Sequence, residues 1–543
     1  MKNSNKKKFL VSSSLILFTI SGCANKESTV ESNSSTVSSL QMDTLNKQKT
    51  TYIDDNYRTT YEICPYSFYD TNEDGIGDLN GITQKLEYIH DEMGFDEIWL
   101  TPINTAISYH KYDITDYYSI DPDFGTMEDF EALVKECHSN DTNIILDLVI
   151  NHTSIEHPWF QEASEYLKSL GDKEINHEEC KYVDYYNFTK EKKIGYESLE
   201  GTDYYYEARF YSGMPDLNLS NKGVRNEIQD IITFWLEKDI DGFRLDATTS
   251  YYTDSQKDTI NFLSWINDTV KSIKKDAYLV GECWKDENVI SDYYTSGIDS
   301  FFNFPFSQGN GIIAKVVKGT TSAKNYGSSI ENIEEKYSRS NLSYIDAPFY
   351  TNHDTNRSAG YYSGDNSVAQ TKLAGALNLL MGGNVFVYYG EEIGMKGSGE
   401  DPNKRMPYEW GEESGMCDPP VGSTTVKMKY GTYASQKEDP SSILNYYKHV
   451  IQLRNAYPII ARGKTHMIET LSDDSICVLE KTSEDYDSVL IIINASSEEQ
   501  QVDLSSLDYT TLSSVLNTSN QEVKLEGNTL TIPSYDIAVL EHD

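Results

Sequence analysis

Three acidic residues stand where apolar runs of strand length end. Asp246, Glu282 and Asp354 each close such a run, at intervals of 36 and 72 residues, so that the second interval is twice the first. A (β/α)₈ barrel advances about 30 residues per βα unit and builds its active site at the C-terminal ends of its strands. Three carboxylates at neighbouring strand ends predict acid–base cleavage of a glycosidic bond, for which enzymes use paired carboxyl groups.

Alternating strand and helix patterns supply the elements that position these acids. Eight strands are predicted, at 62–68, 97–102, 143–151, 242–247, 277–283, 300–305, 344–353 and 384–394. Helical spacing of apolar residues predicts a first helix at 82–92, a second that starts near Thr126, and a last one at 442–457. The fold class predicted is therefore α/β, a (β/α)₈ (TIM) barrel.

Two departures from the barrel pattern predict further domains. Asn151 and Asp246 are 95 residues apart, where one unit needs about 30, so a domain is inserted after the third strand. After 462 the pattern changes to short alternating runs, which predict a C-terminal antiparallel β-sandwich domain. The predicted boundaries are these: signal peptide 1–22, flexible tether 23–50, barrel 51–151 and 215–462, inserted domain 152–214, and C-terminal domain 463–543.

The motifs that carry the three acids resemble conserved regions of the α-amylase family, glycoside hydrolase family 13. The segment 147–152, Asp-Leu-Val-Ile-Asn-His, resembles its first region, and 214–218, Met-Pro-Asp-Leu-Asn, resembles an additional motif. The resemblance extends from about 61 to 458 and is closest to neopullulanase-like and membrane-bound starch-utilisation α-amylases. It implies the same barrel with an inserted domain B.

The resemblance also implies roles for the acids. Asp246 would be the nucleophile of a retaining reaction, Glu282 the general acid/base, and Asp354 the residue that binds sugar hydroxyls and stabilises the distorted ring. Arg244 precedes Asp246 by two residues on the same strand face, so it would keep Asp246 ionised and oriented. Neighbouring carboxylates are expected to raise the pKa of Glu282.

Two histidines are implied as sugar ligands. His152 and His353 each follow a predicted strand end, and the family places such histidines on hydroxyls of one sugar. The alternative is that they are structural histidines with satisfied hydrogen bonds.

The loop after the second predicted strand resembles a sugar-binding loop of the family. It reads His110-Lys111-Tyr112-Asp113, where the family more often has Gly in place of Lys111. Tyr112 would stack on the sugar at subsite −1, and Asp113 with Arg357 would bind hydroxyls on the non-reducing side.

A loop after the first strand has the composition of a calcium site. Every second residue there can supply an oxygen ligand, and a glycine allows the chain to turn, a pattern that suits Ca²⁺. By resemblance to oligoglucosidase-like and neopullulanase-like members, the expected ligands of this structural ion are Asp70, Asn72, Asp74, the Ile76 carbonyl and Asp78. A turn stabilised by its own aspartates, without an ion, is the alternative. A second calcium beside Asn151 is left open, because the Lys-His usual after the nucleophile is replaced by Ala-Thr-Thr.

The N-terminus predicts export. A basic start, an apolar stretch of about a dozen residues and Ile-Ser-Gly-Cys at 20–23 resemble a bacterial lipoprotein signal, with Cys23 as the lipidated residue. Cleavage by an ordinary signal peptidase, giving a secreted protein, is the alternative. The six other cysteines show no metal-like spacing, and their pairing is left open. We expect a cell-envelope location, with membrane contact through the lipid alone.

The net charge of the chain limits the classes of molecule that it can bind. At −40 the chain would repel nucleic acid and anionic lipid, whereas a neutral α-glucan remains compatible. We expect no nucleic-acid partner, and we expect the protein to be a monomer.

The predicted activity is endo-acting α-amylase on α-1,4 bonds of starch and maltodextrins. Export favours a polymeric substrate, and Met214 and Ala247 differ from the residues common in oligo-1,6-glucosidases. An exo-acting α-glucosidase or oligo-1,6-glucosidase, or a 4-α-glucanotransferase, would use the same catalytic residues. A non-catalytic glucan-binding surface protein is the alternative from another class.

Overall fold

Eight parallel strands form the centre of the protein. This computed structural model describes residues 37–40, 53, 55–171 and 173–542. The barrel strands are β1 Thr59–Ile63, β2 Glu97–Leu100, β3 Asn143–Leu148, β4 Gly242–Leu245, β5 Tyr278–Gly281, β6 Ser300–Phe302, β7 Ile345–Ala347 and β8 Val385–Tyr388. Neighbours pair in the order β7-β6-β5-β4-β3-β2-β1-β8, and a parallel bridge between Phe349 and Phe386 joins the two ends. The predicted barrel is confirmed.

Large side chains fill the barrel. Because the strands are covered on both faces, their sequences are almost continuously apolar, as in Ile144-Ile145-Leu146. A cluster of buried residues gathers apolar and aromatic side chains from strands all around the ring: Trp99, Ile145, Tyr278, Val280, Phe302, Phe304, Ala347, Phe349 and Phe386. This packed interior makes the strand ends a rigid base for a site.

Helices surround the strands. The longer helices of the barrel are Met127–Ser139, Lys222–Leu236, Gln256–Ile273, Glu287–Tyr294, Lys324–Ser340, Ser367–Leu379 and Ile443–Ala456. Short helices lie at Leu79–Gln84, Ile312–Val317, Asp401–Lys404, Tyr433–Lys437 and Ile459–Arg462. The predicted first helix is in fact two segments, Leu79–Gln84 and a π-helical stretch Glu87–Met93. Thr126 caps the second helix in a reciprocal capping box with Asp129, which explains why it starts there.

The predicted insertion after β3 holds its own small elements. They are the helix Pro158–Leu170, a 3₁₀ turn Lys181–Asp184 and a three-stranded antiparallel sheet of Phe188–Thr189, Tyr205–Glu207 and Tyr196–Ser198. Antiparallel bridges join His152 to Asp216 and Tyr186 to Leu217, so the two ends of the insertion meet beside the end of β3.

The C-terminal region is an antiparallel two-sheet domain, as predicted. One sheet has five strands in the spatial order Lys464–Met467, Ile476–Thr482, Val489–Asn494, Ile537–Glu541 and Thr511–Leu516. The other contains Val523–Glu526, Thr529–Ile532 and Gln500–Asp503. A separate cluster of buried side chains from both sheets forms its core.

A fourth strand of the second sheet comes from the segment predicted as a flexible tether. Val37–Leu40 pairs antiparallel with Val523–Glu526, so for these four residues the structure differs from the prediction. An unpaired sheet edge binds any segment through its backbone N–H and C=O groups, whatever the polarity of the side chains. Composition alone therefore did not reveal this strand. The signal peptide, Cys23 and the rest of the tether, 24–36 and 41–50, lie outside the described residues.

Within the part of the chain that the structure describes, no helix is long and apolar enough to cross a membrane.

Candidate active site

One guanidinium joins the two acids predicted to do the chemistry. Arg244 lies on β4 and is completely buried; its Nη1 is 2.7 Å from Asp246 Oδ1, and its Nη2 is 3.0 Å from Glu282 Oε2. The two carboxyl groups therefore share one guanidinium. A retaining glycosidase needs two carboxyl groups that are close together, and the shared guanidinium brings these two to one place.

Glu282 is held at the end of β5 by its neighbours on β4. The backbone N–H of Ala247 donates to Glu282 Oε2 at 2.9 Å, and Ala247 itself adopts a left-handed φ of 47°. Gly281, directly before Glu282, packs against the next strand, because a Cβ there would lie 2.5 Å from the Phe301 ring. Burial raises the pKa of Glu282 to about 7; Arg244 opposes the rise, and the nearby Asp246 adds to it. A carboxyl group with this pKa carries a proton near neutral pH, as a general acid must.

Asp354 is ionised and held from two sides. Arg405 Nη2 lies 2.8 Å from Asp354 Oδ1, and His353 Nε2 lies 3.1 Å from Oδ2. Burial alone would raise the pKa of Asp354, but the charges of His353 and Arg405 outweigh it and hold the pKa well below its usual range. About a third of this side chain is exposed, so a hydroxyl group of a substrate could reach it.

Tyr112 links the residues predicted as sugar ligands to the catalytic acids. Its hydroxyl donates to Asp147 Oδ2 at 2.9 Å and lies 2.7 Å from His353 Nε2. The rings of Tyr112 and His353 are nearly parallel, with centroids 5.5 Å apart. Asp147, near the end of β3, in turn accepts from Arg244 Nη1 at 2.8 Å. The site is therefore one connected network from Asp354 to Asp246.

The other two histidines are neutral and hydrogen-bonded. His152 Nε2 donates to the Tyr112 carbonyl at 3.2 Å, and burial lowers the pKa of this imidazole. His110 Nδ1 accepts from the backbone N–H of Tyr112, while burial and the charge of Arg405 lower its pKa to about 4. The two histidines thus hold the Tyr112 backbone, His110 at its N–H and His152 at its carbonyl.

Asp113 and Arg357, both predicted to bind sugar hydroxyls, are each bonded to other groups of the protein. Asp113 Oδ1 accepts from the backbone and hydroxyl of Ser108, at 3.1 Å and 2.5 Å. Arg357 is buried and donates to the carbonyls of Lys404 and Tyr389, at 2.9 Å and 2.6 Å. Its guanidinium stacks on the Tyr388 and Tyr389 rings below the site and forms no ion pair with Asp113.

Lys111 keeps the backbone that glycine would give. Its φ of 61° lies in the left-handed region that favours glycine. The buried ammonium is 2.8 Å from Asp121 Oδ2 and 2.9 Å from Asp123 Oδ2, and these ion pairs hold the loop in this conformation.

The predicted calcium loop folds around its own aspartates. Asp70 accepts backbone N–H bonds from Asn72, Glu73 and Gly75 at 2.7–2.9 Å. Asp78 caps the following helix. Among the described residues no three His, Cys, Asp or Glu side chains form a group that could hold a metal ion. The oxygens still suit Ca²⁺ chemically, but an ion would need the amide and carbonyl oxygens of the loop as well.

Three residues of the network had no role in the sequence analysis. Asp147 and Glu62 are each the last residue but one of their strands, β3 and β1, and Arg405 follows the short helix Asp401–Lys404 after β8. A position near a strand end was the signal for the first two, and many residues without a role share it. Arg405 had no such signal.

Family comparison decides the class of protein. A model of the α-amylase catalytic domain matches residues 62–463. The chain belongs to the α-amylase family. The model of the α-amylase SusG C-terminal domain matches residues 481–539, which agrees with the predicted resemblance to that subgroup.

Known relatives are similar over most of this amylase-family chain. Alpha-amylase 3 of Dictyoglomus thermophilum is 38% identical over 455 residues, covering 80% of this chain and 84% of the relative. The solved structure of Eubacterium rectale Amy13B has a TM-score of 0.89 at 47% identity, covering 92% and 98%. A 4-alpha-glucanotransferase of Thermotoga maritima is 29% identical over 459 residues, covering 81% and 96%. The protein is thus a glycoside hydrolase of this family, as predicted.

Proposed function

We propose that this protein is a retaining, endo-acting α-amylase that hydrolyses α-1,4 bonds of starch-like glucans. The observation that carries the proposal is the shared guanidinium of Arg244 between Asp246 and Glu282. It brings both carboxyl groups to one guanidinium, and burial raises the pKa of one of them, Glu282, to about 7. These are the two groups that a retaining mechanism requires.

In this proposal each acid carries out one step. Asp246, fixed by Arg244, attacks the anomeric carbon while Glu282 gives its proton to the leaving glycosidic oxygen. Glu282 then takes a proton from water, which attacks the glucosyl–Asp246 ester and releases Asp246. Asp354, held by His353 and Arg405, accepts hydroxyl hydrogens of the distorted sugar and stabilises positive charge on it.

Exposed aromatic rings beside the catalytic acids support a long substrate. Trp284, two residues after Glu282, is 44% exposed and stacks on Phe304 with centroids 4.8 Å apart. Phe210 of the insertion is 50% exposed, and its ring centroid lies 5.2 Å from that of His152. Flat apolar rings of this kind suit the faces of successive glucose units.

The test is a timed incubation of the mature protein with amylose, pullulan and isomaltose, with products resolved by length. We expect mixed malto-oligosaccharides from amylose at early times and no cleavage of isomaltose. Glucose released from chain ends alone would show an exo-acting α-glucosidase, and products longer than the substrate would show a glucanotransferase. An Asp246→Asn variant serves as the inactive control, and folded wild-type protein without turnover would refute the proposal.

We also propose that the loop at 70–78 binds a structural Ca²⁺. The support is its oxygen-rich sequence and the buried position of Asp70 and Asp78 beside the first helix. The ion would connect this loop to the barrel and takes no part in the reaction.

We further propose that the protein is exported and anchored through lipid on Cys23. The support is the sequence of the first 23 residues alone. Radiolabelled palmitate fed to an expressing bacterium should label the wild type but not a Cys23→Ser variant, which should appear in the medium. Equal labelling of both proteins, or of neither, would contradict the proposal.

A further inference from the structure

Glu62 is a buried carboxylate of β1 with no role in the mechanism above. Its Oε1 lies 2.5 Å from His353 Nδ1, and both side chains are 1% exposed. The backbone N–H of His353 faces the same oxygen at 3.3 Å. Burying a charge costs free energy unless the charge is paired, so a buried carboxylate needs a partner. The group next to Glu62 is the His353 imidazole.

Counting protons in the network fixes the state of His353. Tyr112 has one hydroxyl proton, which it gives to Asp147 Oδ2. The 2.7 Å contact between Tyr112 Oη and His353 Nε2 therefore needs a proton on Nε2. The 3.1 Å contact of Nε2 with Asp354 Oδ2 needs the same proton. On the other side of the ring, Nδ1 needs a proton to face Glu62. Both nitrogens are protonated only in the imidazolium.

We propose that Glu62 is a positioning residue that holds His353 as an imidazolium, so that His353 Nε2–H donates to Asp354 and Tyr112. Glu62 does not touch the substrate. It acts through His353 on Asp354 directly, and through Tyr112, Asp147 and Arg244 on the nucleophile Asp246. The activity readout of this inference rests on the proposed function.

The groups around His353 agree with this assignment. The charged or titratable groups that face it from the packed elements are Glu62 of β1, Tyr112 of the loop after β2, Asp147 of β3, Asp354 of its own loop, and Arg405 after β8, which binds the His353 carbonyl. Burial would lower the pKa of His353, but Asp354 and Glu62 outweigh it and raise the pKa to about 9.

The test removes the charge of Glu62 and keeps its shape. A Glu62→Gln variant retains an oxygen that accepts from Nδ1–H. The substrate is α-maltosyl fluoride, whose fluoride leaves without a full proton from Glu282, so the alkaline limb of kcat/KM reports the other essential acid. In the wild type we expect this limb near pH 9; in Glu62→Gln we expect it about 1–3 pH units lower, the usual effect of one nearby charge.

Two further variants separate positioning from a merely structural role. Glu62→Asp keeps the charge and should retain the alkaline limb of the wild type within about half a pH unit, whatever it does to the rate. Glu97→Gln neutralises another fully buried glutamate of the barrel, bonded to Thr60 at 2.7 Å, and should leave the limb in place. An unchanged limb in Glu62→Gln, or an equal shift in Glu97→Gln, would overturn the inference.

A measurement on the wild type covers the case in which Glu62→Gln does not fold. In protein labelled with ¹⁵N-histidine, the imidazole whose signal is lost in a His353→Gln variant should be doubly protonated at pH 8 in the wild type. A neutral His353 at pH 8 would overturn the inference. Wild-type protein that does not turn over any α-glucan would instead refute the proposed function, and the NMR result would still decide the state of His353.

Discussion

Replacing Arg244 with methionine should destabilise the protein in a way that depends on pH. Arg244 is 0% exposed and contacts Asp147, Asp246 and Glu282 within 3.0 Å. Methionine keeps much of the packing volume but removes the cation that these three carboxylates share. Breaking a buried ion pair from one side costs about 3–5 kcal/mol, because the partner charges remain buried.

The size of the effect follows from which carboxylates are ionised. The folded-state pKa is raised to about 6 for Asp147 and to about 7 for Glu282, in each case first by burial. A carboxyl group whose pKa is higher in the folded than in the unfolded protein lowers stability at pH values above its unfolded pKa. Without Arg244, the folded-state pKa values of Asp147 and Glu282 both rise further, so this cost increases. At pH 8 we expect the full decrease in the free energy of unfolding. At pH 5.5 both groups already carry protons, so the decrease should be less than half of that at pH 8.

Calorimetry at the two pH values is the assay. With an unfolding entropy of about 2.1 cal/mol/K per residue over roughly 490 residues, 3–5 kcal/mol lowers Tm by about 3–5 °C. We therefore expect a decrease of about 3–5 °C at pH 8 and less than about 2 °C at pH 5.5. The matched control is Arg357→Met, a buried arginine whose hydrogen bonds go to carbonyls and which has only weaker, longer-range interactions with Glu391 and Glu392, so its loss should depend less on pH. An equal or larger loss at pH 5.5 for Arg244→Met would refute the reasoning.

Three further outcomes are expected. With amylose, kcat/KM should fall about tenfold per pH unit above about 7, because Glu282 is protonated only below its raised pKa; a flat profile to pH 9 would exclude Glu282 as the acid. Arg405→Ala should lower kcat/KM about a hundredfold by releasing Asp354, with Lys404→Ala as the near-neutral neighbour; similar losses in both would contradict this role. Added Ca²⁺ should raise Tm over EDTA-treated protein, but not in Asp74→Ala; no difference in the wild type would leave the loop without an ion.

The residues whose positions the sequence predicted are those fixed by local pattern. Asp246 and Glu282 directly follow β4 and β5, whereas Asp354 lies in the loop after β7, because that strand ends earlier than predicted, at Ala347. Arg244 could be placed for the same reason, because alternate residues of a strand share a face. Tyr112 and His353 came from motif resemblance, and the structure brings them within 2.7 Å of each other.

The residues that the sequence could not place depend on the closed ring. The resemblance implied that Arg357 binds sugar hydroxyls together with Asp113, and the structure packs the Arg357 side chain on Tyr388, just before the 3₁₀ turn Ser358–Gly360. Asp354 is paired with Arg405, 51 residues later, for which the sequence analysis predicted no role. The spacing of residues along a strand or helix does not predict a contact between side chains so far apart in the sequence. Edge pairing by Val37–Leu40 was also missed, because it depends on backbone groups and not on side-chain composition.

The two groups that hold the His353–Asp354 pair come from opposite ends of the barrel sequence. Glu62 is on the first strand and Arg405 follows the last, 343 residues apart. Contacts at such separation form late, because the chain between them must be ordered before they are made. A nascent chain that has exposed Asp246 and Glu282 therefore still lacks a complete site until the eighth strand and its loop have left the ribosome. During refolding, helical signal should return before activity, and the return of activity marks the moment at which the ring closes.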